Sequence, residues 1–413
     1  MTRKTTTALA AAAAACALLA AGCGSGFEDN TASTPQSSGP AKLQIMIGSS
    51  GEAETKAVQE AAEKWAQATG NSATVVPAQD MAQQLGQAFA GDSPPDVFYV
   101  EAGRFADYAS VGALEPYASK ISDSEGFYES LRNTFTFNGT YYCVPKDFST
   151  LGLVINTELW KKAGLTEDDV PTTWEEFTSV AKKIKDAGIT PLVVADTRDR
   201  LGAFMKQAGG WITSPDGKQA TADSPQNLQA LEYVQSLLKD GLAVYPSAVD
   251  AGWGGEAFGK EKAAMTIEGN WIKGAMKADF PDVKYTVHEL PAGPAGKGTL
   301  SFTNCWGIAA KSKYKEQAIS FVEAMTTVDQ QMAFAKAFGV MPSRTAAADA
   351  YSKEFPEDAA FLKGAEYAQG PVNAPKMESV LVDFDTALQK LKDGDPKQIL
   401  SRLQENTKAA LGG

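Results

Sequence analysis

Histidine, the side chain most often used for acid–base catalysis near neutral pH and for binding transition metals, occurs once among the 413 residues, as His288. A histidine-rich metal site is therefore excluded, and a Ser-His-Asp triad would depend on that one imidazole. His288 lies in the run YTVHEL at 285–290, which predicts a β-strand. We therefore expect it to have a structural role.

Cysteine offers a second kind of chemistry, at Cys16, Cys23, Cys143 and Cys305. The first two lie in an N-terminal segment described below, which leaves one pair in the body of the chain. Because zinc needs about four ligands and no further histidine is present, this pair predicts a disulfide in an exported protein. Two separate buried thiols are the alternative.

The balance of charge excludes whole classes of partner. Fifty acidic residues face 38 basic ones, and the formal charge of −12 opposes binding to nucleic acid or anionic lipid. With 44% apolar and 21% charged residues over this length, the chain has the composition of a globular protein with two or more cores. We expect no nucleic-acid partner.

The N-terminus has the features of an export signal. Arg3 and Lys4 precede an apolar run at 8–21 that is too short to span a bilayer, and LAAGC at 19–23 resembles a lipobox. We therefore predict a signal peptide at 1–22 and a lipidated, flexible tether at 23–40, anchored at Cys23 to the outer face of the cell membrane. Plain secretion after cleavage nearby is the alternative. Removal of the signal leaves 36 basic against 50 acidic residues, a charge of −14.

The elements after residue 41 must position any functional groups. Strands are predicted at 42–47, 73–76 and 96–100, with helices at 57–65 and 81–90 between them, a βαβαβ order typical of a parallel sheet. Ligands bind beyond the carboxyl ends of such strands, which indicates the turn at 49–52 and the segment 99–104. Further helices begin near Thr173 and Ser224, and a strand is predicted at 152–156.

No linker separates the chain into consecutive domains, so two domains would require several crossings between them. A succession of motifs then becomes specific: SPPDV at 93–97, VGALEP at 111–116, NGTYYCVP at 138–145, VINTEL at 154–159, PTTWEEF at 171–177, AFGKEKAAM at 257–265, EGNW at 268–271 and GVMPSR at 339–344. In this order they resemble the family 1 extracellular solute-binding proteins, which include maltose- and trehalose/maltose-binding proteins.

The resemblance implies an α/β fold of two discontinuous α/β lobes joined by a multi-strand hinge, like the type II periplasmic binding proteins. The lobes would comprise 41–149 plus 306–338 and 150–305 plus 339–413. Crossings would fall near 146–150, 304–307 and 339–342. Cys143 and Cys305 would then lie beside the first two crossings, which favours a disulfide between them.

Sugar capture needs flat aromatic faces for the C–H surface of a pyranose and planar polar groups for its hydroxyls. By resemblance, Trp271 would stack on a sugar beside Asn270, and Glu101 would bind hydroxyls. Their alternatives are a core tryptophan and a solvated acid or helix cap. Tyr99 could be a platform or a packing residue.

The remaining candidates are carried over in the same way. Lys146, Asp147 and Ser149 enter the first crossing, which faces the cleft in the family, and are candidates for ligand binding. Ser149 stands where the maltose binders have an acid, so Asp147 could take the carboxylate role, with a salt bridge to Lys146 or another base as the alternative. Arg344 could contact sugar or form an ion pair between packed segments. Four residues in loops expected at the cleft complete the predicted set: Glu52, Asp199, Arg200 and Trp253.

The resemblance implies a monomeric, non-enzymatic binding component of an ABC importer, without cofactor or metal. It would deliver a disaccharide or short oligosaccharide to permease subunits served by a cytoplasmic ATPase. A secreted carbohydrate-active hydrolase would also need acids and aromatics in a cleft. A surface adhesion or signalling receptor is a third possibility.

Overall fold

The computed structural model describes residues 40–412. The predicted signal peptide and Cys23 lie outside the described residues, as does the tether up to residue 39. Within the described part, no helix combines the length and apolar character needed to cross a bilayer.

Twelve strands occur in residues 40–412: β1 Lys42–Ile47, β2 Ser72–Pro77, β3 Val97–Glu101, β4 Thr136–Phe137, β5 Thr140–Tyr141, β6 Pro145–Asn156, β7 Leu192–Val193, β8 Ala243–Val244, β9 Met265–Gly269, β10 Tyr285–His288, β11 Thr299–Ile308 and β12 Ala368–Gln369. The same residues form sixteen α-helices: α1 Glu52–Thr69, α2 Met81–Ala90, α3 Ala102–Ser110, α4 Glu129–Thr134, α5 Thr157–Lys162, α6 Trp174–Asp186, α7 Arg198–Gln207, α8 Pro225–Lys239, α9 Gly254–Gly259, α10 Ile272–Asp279, α11 Lys315–Met325, α12 Val328–Phe338, α13 Ala348–Glu354, α14 Ala359–Gly364, α15 Glu378–Leu388 and α16 Pro396–Leu411.

Local sequence signals explain where several helices begin and end. Helix α1 ends at Gly70, whose φ of 72° is easy for glycine, and α6 begins at Thr173, whose side chain accepts from the amide of Glu176. Ser224 caps α8 in the same way. The predicted βαβαβ opening is confirmed as β1 to β3, and His288 lies on the predicted strand.

One sheet links the two halves of the molecule, in the order β2-β1-β3-β11-β6-β9-β7-β8. Strands β1, β2 and β3 pair in parallel, as do β7, β8 and β9. Between these parallel sections, β11 and β6 run antiparallel to each other and pair on their other sides with β3 and β9. The two long strands therefore belong to both halves.

Two large apolar cores lie on either side of this strand pair. One draws on residues within 41–144 and 305–334, and we call that part the N-terminal lobe. The other draws on residues within 151–300 and 372–403, the C-terminal lobe. The predicted α/β fold of two discontinuous lobes is confirmed. The residue boundaries given above for each lobe remain a prediction.

The hinge consists of three adjacent segments. Strands β6 and β11 form the first two, and a bridge between Phe148 and Met341 adds the third. Cys143 and Cys305 form a disulfide where β6 begins, with 5.8 Å between their Cα atoms. Phe148 and Met341 also pack with Tyr351 and Phe361 in a small cluster of their own.

Candidate functional site

A cavity of about 530 Å³ lies between the lobes. The N-terminal lobe contributes the β1–α1 turn and the first turn of α3, and the C-terminal lobe contributes the start of α7 and the residues after β9. The hinge strands β6 and β11 supply residues 146–149 and 300–304. The cavity therefore lies at the carboxyl ends of β1 and β3, as expected for an open α/β sheet.

Seven of the twelve predicted ligand-binding residues line this cavity: Glu101, Lys146, Asp147, Ser149, Asp199, Asn270 and Trp271. The structure does not bring the other five to its lining: Glu52, Tyr99, Arg200, Trp253 and Arg344. Each of the five has a local physical reason for its position, given below.

A buried charge cluster forms the floor of the cavity. The ammonium of Lys146 lies 3.0 Å from Glu54 Oε1 and contacts Asp147 Oδ2, and all three side chains are nearly inaccessible to solvent. Burial alone would raise the pKa of Glu54, but Lys146 and hydrogen bonds from Ser50 lower it. Burial raises the pKa of Asp147 despite its contact with Lys146. One ammonium, that of Lys146, faces two buried carboxyl groups, so oxygen acceptors are in excess in the cluster. The cluster therefore favours a ligand that donates hydrogen bonds.

Tyr99 supports this cluster from below the cavity. Its ring is 2% exposed and packs edge to face on Trp306, with 4.9 Å between ring centroids. Its hydroxyl donates to Glu54 Oε1 at 3.1 Å. Burial raises the pKa of Tyr99 well above its usual range. Of the two interpretations of Tyr99, a sugar platform or a packing residue, its position in this fold corresponds to the packing residue.

Asn270, which follows β9, and Ser149 link two of the three hinge segments at the cavity wall. Ser149 Oγ on β6 donates to Asn270 Oδ1 at 2.5 Å, and Asn270 Nδ2 donates to the carbonyl of Gly339 at 2.7 Å. Gly339 has a φ of 80°, which allows the chain to turn from α12 into the third crossing. Both side chains line the cavity and also fix the hinge.

The side chain of Arg344 forms its hydrogen bonds with residues of the N-terminal lobe. Its guanidinium donates to the carbonyls of Thr326, Asp123 and Ser122 and lies 4.3 Å from the centroid of the Phe127 ring. Its side chain is about 10% exposed. In this position Arg344 connects backbone segments and does not line the cavity, which corresponds to the packing alternative.

Glu52 and Trp253 lie outside the cavity for simpler reasons. Glu52 is exposed in the first turn of α1, whereas Glu54, two residues later, faces the cavity. A helix turns about 100° per residue, so only one of the two acids can face inward. Trp253 precedes α9 and packs against a small cluster that includes Phe258 and Ile272.

Trp271 is half-buried at the cavity wall. Its ring lies edge to face with Phe302, with 5.2 Å between centroids. Its Nε1 donates to Glu268 Oε2 at 2.9 Å, and Arg200 binds the same oxygen at 2.6 Å. Arg200 therefore contacts the tryptophan and lies outside the cavity lining.

The sequence reasoning missed several lining residues. The most informative are Glu54, Arg104, Arg198, Trp211, Phe302, Phe338, Gln369 and Glu378. Arg104 lies within the segment 99–104 that the strand order indicates, although it is not among the named candidates, and Glu54 lies two residues beyond the indicated turn at 49–52. Trp211 follows two glycines at 209 and 210. Phe302, Gln369 and Glu378 carried no local signal, because tertiary contacts alone bring them to the cavity. Within residues 40–412, no group of three or more histidine, cysteine or acidic side chains is arranged to hold a metal.

The chain resembles known binding proteins in sequence. It is 26% identical over 287 residues to an uncharacterized ABC transporter extracellular-binding protein of Pyrococcus horikoshii, covering 65% of this chain and 62% of that one. It is 26% identical over 280 residues to the diacetylchitobiose binding protein DasA of Streptomyces coelicolor, covering 64% of each.

The fold has a close counterpart among solved structures. The cyclic alpha-maltosyl-1,6-maltose binding protein from Arthrobacter globiformis matches with a TM-score of 0.80 at 21% identity, covering 91% of this chain and 100% of that one. At this identity the likeness shows the two-lobed fold alone. The family model described as bacterial extracellular solute-binding protein matches residues 48–332, well over half of the sequence. The chain therefore belongs to the bacterial extracellular solute-binding proteins.

Proposed function

We propose that this protein captures a carbohydrate, a disaccharide or short oligosaccharide, in the interlobe cavity and delivers it to the permease subunits of an ABC importer. A cytoplasmic ATPase would power the translocation. The relatives named above are binding proteins, one of them for diacetylchitobiose, which supports this class of ligand. Binding without catalysis is part of the proposal.

The observation that carries the proposal is the composition of the cavity wall. Aromatic rings from both sides of the hinge line it: Trp211, Trp271, Phe302 and Phe338. Carboxylates, an amide and a guanidinium stand among them, including Glu101, Asn270 and Arg104. This mixture suits the apolar faces and the hydroxyls of a sugar ring. The volume of about 530 Å³ is that of a small-molecule site.

A sugar panel tests the proposal directly. Mono- to tetrasaccharides are screened by thermal shift, and the best ligand is measured by calorimetry. A ligand at 100 times its dissociation constant stabilises the native state by about 2.7 kcal/mol, which is readily detected. If no sugar in the panel raises the melting temperature, the proposal is wrong for those sugars, and amino acids and polyamines screened in parallel become the ligands to pursue.

The same incubations distinguish binding from hydrolysis. Released monosaccharide, followed over hours by chromatography, would identify the protein as a secreted carbohydrate-active hydrolase. Deletion of the gene should abolish uptake of the bound sugar, whereas unchanged uptake would favour an adhesion or signalling receptor.

We also propose that the protein is a monomer held at the outer face of the cell membrane by lipid on Cys23. The LAAGC motif at 19–23 supports this position. Cells expressing Cys23→Ala should release the protein into the medium, and mass spectrometry of the wild-type N-terminus should find a diacylated cysteine. An unmodified N-terminus at another residue would indicate plain secretion.

A further inference from the structure

A buried ion pair holds the indole of Trp271. Glu268, at the end of β9, accepts from Trp271 Nε1 at 2.9 Å and from Arg200 at 2.6 Å on the same carboxylate oxygen. The Glu268 side chain is 1% exposed and that of Arg200 is 13% exposed. One oxygen atom therefore fixes both the tryptophan and the arginine.

The arginine also covers the aromatic ring. The guanidinium carbon of Arg200 lies 5.0 Å from the centroid of Trp271 and 6.0 Å from that of Phe302. Arg200 comes from α7, Phe302 from β11 and Trp271 from the residues after β9. Trp271 and Phe302 line the cavity, but Arg200 and Glu268 do not. The ion pair therefore lies behind the aromatic wall, where it touches the rings and is separated from the ligand space.

Folding stability alone is a weak reason for such a pair. A buried ion pair can often be replaced by apolar side chains of similar volume with no loss of stability, because desolvation offsets the Coulombic attraction. A stacking platform, in contrast, must be held to within about 0.5 Å and 10–20° to be useful. The hydrogen bond from Nε1 to Glu268 restrains the rotation of the indole.

We infer that Glu268, held by its ion pair with Arg200, is a positioning residue that orients Trp271 as a ligand platform. This inference rests on the proposed function, since the platform is proposed to stack on a sugar. Arg200 then acts on the ligand only through Glu268 and Trp271, which gives the residue a role different from the direct contact that the sequence suggested.

Two double variants test the inference. Arg200→Met with Glu268→Leu removes both charges and the acceptor for the indole N–H. Arg200→Met with Glu268→Gln also removes both charges, but keeps an oxygen that can accept from Nε1. Single variants are avoided because each would leave an unpaired buried charge, which is strongly destabilising.

The first measurement needs no ligand. The Nε1–H resonance of Trp271, assigned by its loss in Trp271→Phe, should shift further in the Glu268→Leu double variant than in the Glu268→Gln double variant. Because both variants lack Arg200, the difference between them reports the acceptor for Nε1–H. Trp174 donates to Gln207 at 2.7 Å in the same lobe and serves as an internal reference that should not shift. An unshifted Trp271 resonance in the Glu268→Leu double variant overturns the inference, whatever the ligand is.

The second measurement is affinity for the best sugar of the panel. A lost hydrogen bond that orients the platform corresponds to a fall of up to about tenfold, and the Glu268→Gln double variant should lose less than about threefold. Wild-type affinity in the Glu268→Leu double variant, despite a shifted resonance, overturns the inference. A panel with no binder contradicts the proposed function, while the resonance still decides whether the pair orients the indole.

Discussion

At the scale of single residues, Trp271 should contribute more to ligand affinity than to folding. Trp271→Ala removes a flat contact, and affinity should fall by about 2 to 4 kcal/mol, roughly 30- to 1,000-fold. The melting temperature should change less, because the ring is only half-buried. Calorimetry and thermal melts on the same variant measure both quantities.

Trp253 provides the matched control for that prediction. It is also a half-buried tryptophan of the C-terminal lobe, but it lies outside the cavity lining. Trp253→Ala should lower the melting temperature and leave affinity unchanged. The prediction would be contradicted if Trp271→Ala lost stability as a core substitution does, about 3 to 5 kcal/mol, while binding sugar normally.

Glu289 should make stability depend on acid pH. It accepts from Lys297 at 2.7 Å and Tyr367 at 2.8 Å and pairs with Lys363 at 2.9 Å. Although burial opposes ionisation, these donors lower the pKa of Glu289 from 4.5 to about 2. Its stabilising effect is therefore present above pH 4.5 and is lost as pH falls towards 2.

The variant Glu289→Gln should accordingly cost on the order of 1 kcal/mol at pH 7, a value reduced from the full pKa shift because solvent screens this partly exposed group. Denaturant unfolding at pH 7, 4 and 3 measures the difference from wild type, which should shrink with each step. A difference that stays constant over this range would show that the ionised carboxylate is not what stabilises this contact.

At the scale of elements, the disulfide restrains the two strands that form the hinge. Cys143 precedes β6 and Cys305 lies in β11, 162 residues later in sequence. Closing a loop of this length reduces the conformational entropy of the unfolded chain. This raises the free energy of unfolding by on the order of 5 kcal/mol, as an upper figure. A Cys143→Ala, Cys305→Ala double variant should therefore unfold at lower denaturant concentration, by at most that amount. Intact mass after alkylation, with and without reductant, checks the bond; two free thiols before reduction would contradict it.

At the scale of the whole molecule, contacts across the cavity indicate that the lobes meet in this structure. Arg104 on α3 lies 3.2 Å from Glu378 on α15, and Asp107 accepts from the backbone amide of Lys376 at 2.8 Å. Lys376 has a φ of 65°, unusual for a residue other than glycine. We expect this arrangement to be favoured by the proposed ligand, because the cavity is lined by residues of both lobes.

The prediction is that Asp107→Ala and Glu378→Gln together shift the free protein towards an open form. Small-angle scattering should show a larger radius of gyration for the free variant than for the free wild type, and sugar should restore compaction in both. Each exposed contact is worth about 1 kcal/mol or less, so affinity should fall by only severalfold. An equal radius of gyration in the free wild type and variant would show that these contacts do not hold the lobes.

The sequence determined the local structure and the class of the protein. Hydrophobic periodicity and the caps at Thr173 and Ser224 predicted elements that the structure confirms, because these signals act within one or two helical turns. The motif order predicted the family and the two-lobed fold. The pairing of Cys143 with Cys305 was an expectation from composition and resemblance, and the structure contains it.

Only the tertiary structure decided which side chains face the cavity. Glu52 and Glu54 look alike in sequence, but the rotation of α1 turns only the second inward. The sequence made Arg200 and Arg344 candidates for ligand binding. In the folded protein the guanidinium of Arg200 binds Glu268, and that of Arg344 donates to backbone carbonyls. Such partners come from 18 to 222 residues away along the chain, so local pattern carries no information about them. A binding role for a polar residue depends on which of its hydrogen-bonding groups remain unused after folding, and that is fixed by packing between distant segments.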